Sequence, residues 1–226
     1  MPRPNLFRTS DYTYHVRARS NNNEWFYLPM DQVWNCLCNA AAAAIDKYAV
    51  DLHLLVMMSN HIHALVTTPH KNLDEFMQFF LSQAARQIQI RARRTNHIFG
   101  TRYKYSILET PHALAYCYKY VCRNPIRAGI CTRVEDYPYC TINSATEHFR
   151  ILERFDDYWR HIPRNNFDRL KWLNNPTPKE QEALVKKALR RFKFAFPRHS
   201  NEQKKLRLLA SNYGIETKVE GAILGC

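Results

Sequence analysis

Two short segments of the chain carry side chains whose types and spacing suit phosphate chemistry. In the first, residues 58–66, two imidazoles stand two positions apart, at His61 and His63. If this segment is a strand, its side chains alternate between faces, so both imidazoles share one face, and Ile62 and Leu65 are expected on the other. Two neighbouring imidazoles can chelate one divalent ion, although a His-x-His pattern also occurs at ordinary protein surfaces.

The second segment places a phenol and an amide one helical turn apart. Residues 114–124 read as a helix that Pro125 ends, so Tyr120 and Asn124 would share a face. An amide oxygen is a hard ligand that suits Mg²⁺ or Mn²⁺, and with the histidine pair it would complete a metal site beside the phenol. The alternative is structural, because aromatic residues pack and Asn-Pro is a common helix end.

The composition points to a polyanionic partner. The chain has 226 residues, a net charge of +13 and a pI of about 9.5, which favours nucleic acid. It has no apolar run of about 18 residues and no signal-peptide pattern, so we expect neither a membrane span nor export. Seven scattered cysteines without a Cys-x-x-Cys pair predict free thiols and a cytoplasmic location.

The hydrophobic periodicity predicts the elements that position these groups. Strands are expected at residues 12–19, 50–57, 61–67 and 103–108. Helices are expected at residues 31–48 and 73–94, capped by Asp31 and Asn72, and at residues 114–124. This order predicts an α+β fold: a ferredoxin-like antiparallel sheet with two helices on one face, a C-terminal tyrosine helix and a helical basic tail. The histidine face would be free for DNA and for the tyrosine helix.

Both segments resemble those of the REP-associated tyrosine transposases, which belong to the single-tyrosine HUH transposases. The family phrase (M)-x-N-H-x-H-x-L-V is present at residues 58–66. The tyrosine-helix phrase Y-[IV]-x-x-N-P-[VI]-R-A-G matches residues 120–129 at every defined position. Residues 14–22 and 99–104 also resemble family phrases. The resemblance covers roughly residues 8–145 and predicts the same ferredoxin-like architecture.

The resemblance implies a metal-dependent nuclease and strand transferase acting on single-stranded or hairpin DNA. His61, His63 and Asn124 would bind Mg²⁺ or Mn²⁺, and Tyr120 would attack the scissile phosphate to give a 5′-phosphotyrosine and a free 3′-OH. The implied targets are repetitive extragenic palindromes that form hairpins, and the protein would act as a monomer or homodimer. The candidate proton acceptors for the phenol are His112, Lys119 and a metal-bound hydroxide.

The chain divides into a catalytic domain, residues 1–145, and a basic, mostly helical C-terminal extension, residues 146–226. The sequence of the extension predicts a short helix at 149–159, a linker at 163–178, a helix capped by Thr177 that runs to about 193, and a helix at 201–213.

Basic side chains near the two segments are candidate contacts to DNA phosphates. They are Arg17, Arg91, Arg94, Arg102, Lys104, Arg123 and Arg127. For Arg91 and Arg94 the alternative is that cations at the end of a helix simply favour the helix dipole. Two other functions stay open. A DNA-binding regulator would bind hairpins without cutting them, and a metal phosphodiesterase that uses water would keep its activity without Tyr120.

Overall fold

The computed structural model describes residues 7–143 and 157–196 and contains the predicted four-stranded sheet. The strands are β1 (Thr13–Arg19), β2 (Asp51–Met57), β3 (His61–Thr67) and β4 (Lys104–Leu108). Their order in the sheet is β2-β3-β1-β4, and every neighbouring pair is antiparallel. With helix α1 (Met30–Tyr48) after β1 and helix α2 (Leu73–Ala92) after β3, this is the ferredoxin-like α+β fold that the sequence predicts.

One face of the sheet packs against α1 and α2. Alternation along β1 turns Tyr14, Val16 and Ala18 towards the helices, where they form one core with apolar side chains such as Leu37 and Phe76. The helix ends differ slightly from expectation. Helix α1 begins after Pro29 rather than at Asp31. Asn72 is the N-cap residue of α2 as predicted, but its side chain makes no capping hydrogen bond and donates instead to the carbonyl of Tyr48 (2.8 Å).

The other face carries the histidines, together with a second apolar cluster. Leu65 lies in this cluster with Leu54 and Leu108, so the expectation that Leu65 faces away from His61 was wrong. The reason is that Leu65 stands an even number of positions from His61, and even spacings share a face of a strand. Part of this face is therefore covered rather than free.

The cover comes from helix α3 (Pro111–Cys122) and from the extension. Thr110 caps α3 by accepting a hydrogen bond from the N–H of Ala113 (3.1 Å). At Asn124 the chain does not leave the helical region as predicted. A short helix α4 (Asn124–Arg127) begins there instead, with Pro125 in its first turn, where a missing N–H costs nothing.

The extension adds two described helices to this layer. Helix α5 (Asn166–Asn174) lies where a linker was predicted, because Asn165 is an N-cap that accepts from the N–H of Phe167 (2.8 Å). Helix α6 (Lys179–Ala188) follows Pro178 and stops before residue 193. The predicted helix at 201–213, the domain boundary at 145 and most of the predicted helix at 149–159 lie outside the described residues.

Beyond α6 the chain pairs with the edge of the sheet. The N–H of Ile107 on β4 donates to the carbonyl of Phe192 (2.9 Å), and the N–H of Phe194 donates back to the carbonyl of Ile107 (2.9 Å). This pairing ties the end of α6 to β4 and holds the helix against the histidine face. In the described part of the chain, no helix is long and apolar enough to cross a membrane, and the six cysteines there are all free thiols.

Candidate functional site

Strand β3 presents the two predicted imidazoles side by side on the sheet face opposite α1 and α2. The ring centroids of His61 and His63 are 5.0 Å apart. In each ring the Nδ1 atom already has a partner: Asn60 Oδ1 at 2.7 Å for His61, and His15 Nε2 at 2.8 Å for His63. Each imidazole is therefore left with Nε2 as the nitrogen that can bind a ligand.

Burial keeps both imidazoles neutral near pH 7. It lowers the pKa of His61 to about 4, with a smaller contribution from the charges of Arg17 and Arg19. It lowers the pKa of His63 well below its ordinary value, and the neighbouring rings and Arg17 act in the same direction. A neutral imidazole keeps the lone pair that metal binding requires, so this pair is electronically prepared to act as ligands.

Helix α3 brings Tyr120 to the same place. A cavity of about 470 Å³ is bordered by Tyr120, His61, His63 and Asn124. The predicted nucleophile and the three predicted ligands therefore share one cavity, although they come from two segments that are far apart in the chain.

Arg127 contacts both the phenol of Tyr120 and the amide of Asn124. Its guanidinium lies over the ring of Tyr120, 3.6 Å from the centroid, and it donates to the Tyr120 carbonyl (3.1 Å) and to Asn124 Oδ1. Burial raises the pKa of Tyr120, and the positive charges of Arg127 and Arg17 oppose that rise. Arg127 thus favours the phenolate that a nucleophilic tyrosine must form.

The donor set fits a divalent metal ion. Two neutral imidazoles and an amide oxygen are acceptable ligands for Mn²⁺ or Mg²⁺. Asn124 Oδ1 has a second lone pair beyond the one that accepts from Arg127, and the buried Nδ2 of Asn124 has no hydrogen-bond partner among the described residues. No three His, Cys, Asp or Glu side chains in the described ranges form a metal cluster.

Positive side chains surround this site. A second cavity of about 390 Å³ also borders Tyr120 and His63 and extends towards β4. Among the residues that the structure describes, one acidic residue, Glu182, borders the two cavities. Seven described basic residues also border them, and we term these the basic rim: Arg17, Arg19, Lys104, Arg127, Lys179, Lys186 and Arg190. A groove with this charge attracts a phosphate backbone.

Three of the predicted DNA contacts, Arg17, Lys104 and Arg127, belong to the basic rim. The structure does not bring the other four to the site. Arg123 is buried and donates to the carbonyls of Leu173 (2.7 Å) and Asn174 (3.2 Å) at the end of α5.

The remaining three lie with the helical layer. Arg91 donates to Cys36 Sγ (2.7 Å), and Arg94 lies over the ring of Tyr27, 3.7 Å from its centroid. Arg102 pairs with Asp74 on α2. Sequence proximity to the motifs did not reveal that these cations belong to a different layer of the fold.

Neither side chain proposed as a proton acceptor borders the two cavities. His112 stands eight positions before Tyr120 on α3, roughly 12 Å along the helix, and packs on His161 with ring centroids 4.1 Å apart. The Nζ atom of Lys119 lies 5.2 Å from the ring centroid of Trp172 on α5. Burial lowers the pKa of Lys119 to about 8, but its side chain packs against α5.

Several residues of the site were missed by the sequence reasoning. His15 touches His63, and Arg19, Lys179, Glu182, Lys186 and Arg190 border the cavities. Alternation along β1 could have found the first two, because His15, Arg17 and Arg19 share a face. Nothing in the local sequence of α6 indicates that this helix lies over the tyrosine.

Comparisons with known proteins show which family the chain resembles and which solved structure has a similar fold. The family described as "Transposase IS200 like" matches residues 9–124, which include both histidines, Tyr120 and Asn124. A solved REP-associated tyrosine transposase bound to a REP hairpin superposes with a TM-score of 0.52 at 14% identity, over 70% of this chain and 100% of that one. At this identity the likeness concerns the fold.

A second solved chain, described as a transposase from Deinococcus radiodurans R1, is more distant. Its TM-score is 0.35 at 15% identity, over 52% of this chain and 93% of that one. No curated protein matches the sequence. The family match spans more than half of the chain, and so the chain belongs to the IS200-like transposase family.

Proposed function

We propose that this transposase-family protein is a metal-dependent endonuclease and strand transferase for single-stranded DNA, with Tyr120 as its nucleophile. The observation that carries the proposal is the shared cavity of Tyr120, His61, His63 and Asn124 inside the basic rim. The likeness in fold to a hairpin-bound REP-associated transposase supports hairpin-forming repetitive extragenic palindromes as the targets. The protein would act as a monomer or homodimer.

His61, His63 and Asn124 would hold Mg²⁺ or Mn²⁺, which when bound withdraws charge from the scissile phosphate. The chain's own residues do the remaining work. Cations of the basic rim such as Arg17 and Lys186 hold the phosphates on either side. Arg127 stacks on Tyr120, limits the freedom of the ring and favours its deprotonation.

The covalent step exchanges one phosphate ester bond for another and needs no external energy source. Tyr120 Oη loses its proton and bonds to phosphorus, while the bond from phosphorus to the 3′ oxygen breaks and that oxygen takes up a proton. The products are a 5′-phosphotyrosine and a free 3′-OH. Because the ester conserves the phosphodiester bond energy, the 3′-OH of another strand can reverse the step and join the DNA.

The test uses end-labelled single-stranded hairpins with their flanks, taken first from palindromes beside the gene, incubated with Mg²⁺ or Mn²⁺. Wild type is compared with Tyr120→Phe, His61→Ala and the matched control Tyr116→Phe. Tyr116 lies one turn earlier on α3 and borders neither cavity. We expect a labelled covalent protein–DNA adduct for wild type and Tyr116→Phe only.

Other outcomes would assign the protein differently. Cleavage that survives Tyr120→Phe and is lost in His61→Ala, with no adduct, would identify a phosphodiesterase that uses water. Hairpin binding by wild type with no cleavage in either metal would identify a regulator that has kept the fold and lost the chemistry.

A further inference from the structure

A histidine of β1 contacts one member of the predicted metal-binding pair directly. His15 on β1 places its Nε2 atom 2.8 Å from Nδ1 of His63, with the two rings 18° from parallel. Both side chains are only 4% exposed, so water cannot easily replace this hydrogen bond. The contact is fixed by the sheet, since β1 and β3 pair directly and His63 lies opposite Arg17, two positions from His15.

The direction of this hydrogen bond decides what His63 can do. A neutral imidazole carries one proton, and its other nitrogen keeps the lone pair. If Nδ1 of His63 carries the proton and donates it to His15, then Nε2 of His63 is free to bind a metal ion. If His15 donates instead, the proton of His63 lies on Nε2 and blocks that position.

No hydrogen bond from a described residue to the second nitrogen of His15 fixes which of the two rings donates. Nδ1 of His15 is buried and has no hydrogen-bond partner among the described residues. No other side chain in the described part of the chain therefore fixes the tautomer of His15, and its one polar contact there is His63. Metal-binding histidines generally need such a partner on the nitrogen that does not bind the metal, because the partner sets both tautomer and ring orientation.

We propose that His15 is a positioning residue for the reaction: its Nε2 accepts the Nδ1–H of His63 and holds the Nε2 of His63 free to bind the metal ion. This inference rests on the proposed function, which makes His63 a ligand. It assigns to β1 a role in the site beyond supplying the rim cations Arg17 and Arg19. It also explains why a polar side chain is buried in the middle of the sheet.

The test measures binding of Mn²⁺ alone, by isothermal titration calorimetry on the full chain without DNA. His15→Phe fills the space but removes the acceptor, and His15→Gln restores an acceptor oxygen. Loss of such a partner typically weakens metal binding about 10- to 100-fold, and we expect that loss for His15→Phe and near wild-type affinity for His15→Gln. Circular dichroism melts check that each variant is folded.

The matched control is His53→Gln. His53 is also buried, but its Nε2 atom is hydrogen-bonded to Thr67 Oγ1 (2.9 Å). Thr67 lies four residues along β3 from His63, which places Thr67 roughly 13 Å from that histidine. Substitution of His53 is expected to leave Mn²⁺ affinity unchanged. Wild-type affinity in a folded His15→Phe, or an equal loss in His15→Phe and His15→Gln, overturns the role of His15 alone. Mn²⁺ binding that is absent in wild type, or unchanged in His61→Ala, overturns the proposed metal site and this inference together.

Discussion

At the scale of single residues, burial changes the protonation of side chains in the site that are normally exposed. His61, His63 and Tyr120 are all shifted by burial towards their neutral forms. For the imidazoles the neutral form is the useful one, since it can bind metal. For the phenol it is the unreactive one, and the charge of Arg127, which lies over the ring, favours its ionisation.

Replacing Arg127 should therefore change the pH dependence of cleavage. Arg127 opposes the rise in the pKa of Tyr120, so Arg127→Ala lets that pKa rise further and leaves less phenolate at a given pH. We expect single-turnover cleavage at neutral pH to slow about tenfold, equivalent to about 1.4 kcal/mol, and the midpoint of the pH–rate profile to move to higher pH.

The control for this prediction is Arg19→Ala, measured at saturating DNA. Arg19 also borders the cavity but bonds to Asn23 Oδ1 (2.8 Å) rather than covering the phenol. Its loss is expected to weaken DNA binding without moving the midpoint. Equal midpoints for Arg127→Ala and wild type would contradict the role given to Arg127.

Lys119 gives a second prediction at this scale, in which stability changes and cleavage does not. Its pKa is about 8 in the folded protein, because burial lowers it, against about 10.5 in an unfolded chain. Between these values the unfolded chain binds more protons, so stability rises with pH, by less than about 1.4 kcal/mol per pH unit. Below this window the buried charge is a cost, and Lys119→Met should be the more stable protein at pH 7.

Urea unfolding at pH 7 and pH 9 measures this effect, and the rise in stability between the two should be smaller in Lys119→Met. Cleavage should persist in the variant, because Lys119 packs on Trp172 and borders neither cavity. Abolished cleavage in a folded, stable Lys119→Met would instead identify Lys119 as the proton acceptor.

At the scale of elements, the extension builds one wall of the site. Helix α6 supplies Lys179, Lys186 and Glu182 to the cavity that Tyr120 borders. Two contacts hold this layer in place: the pairing of Phe192 and Phe194 with β4, and the buried side chain of Arg123, which joins α3 to the end of α5. Cations suit this position because carbonyls at a helix C-terminus carry partial negative charge.

Arg123 is therefore expected to stabilise the fold rather than bind DNA. Arg123→Met removes hydrogen bonds from a charged donor to Leu173 and Asn174 and the 3.8 Å ion pair with Glu182. Such bonds contribute about 1.5–3 kcal/mol each to stability, so we expect a loss of about 3–6 kcal/mol in urea unfolding. DNA affinity of the folded variant should stay close to wild type, and a selective loss of DNA binding at unchanged stability would restore Arg123 as a DNA contact.

The exposed cations Lys186, on α6, and Arg190, just after it, should behave in the opposite way. Lys186→Ala and Arg190→Ala each remove one basic-rim charge without disturbing the core, so DNA binding should weaken while stability stays within about 0.5 kcal/mol. Fluorescence anisotropy with labelled single-stranded DNA measures the affinity. Lys47→Ala is the control, because Lys47 lies over the ring of Phe79 in the helical layer (4.5 Å to the centroid). A Lys47 variant that binds DNA as weakly as the Lys186 and Arg190 variants would mean that the net charge, not the rim, drives binding.

At the scale of the whole molecule, the chain has a net charge of +13, and the basic residues that the structure describes are unevenly distributed. The basic rim collects seven cations around the tyrosine, whereas Arg8 and Arg102 are paired with Asp74 elsewhere. Binding to single-stranded DNA should therefore follow the rim. With about four to seven phosphate contacts, the slope of log K against log salt should be roughly −3 to −5.

This slope is measured from about 50 to 300 mM NaCl, and Lys186→Ala should make it less negative by about 0.7 to 1. Lys47→Ala should leave it unchanged. A slope that is insensitive to every rim variant would contradict the assignment of this groove as the DNA-binding surface.

The sequence by itself determined the features that depend on local periodicity. Alternation along β3 predicts that His61 and His63 share a face, and helical spacing predicts that Tyr120 and Asn124 do. The order of the elements then predicts a ferredoxin-like sheet, and the structure confirms that fold. These predictions succeed because strand and helix periods are set by the backbone over a few residues.

Only the tertiary structure decided which distant groups meet. The contact of His15 with His63 depends on strand register, and the arrival of α6 over Tyr120 depends on its pairing with β4. The separation of Arg123 from the basic rim depends on a core that forms between α3 and α5. Such contacts arise from packing between segments far apart in the chain, and no local pattern encodes them.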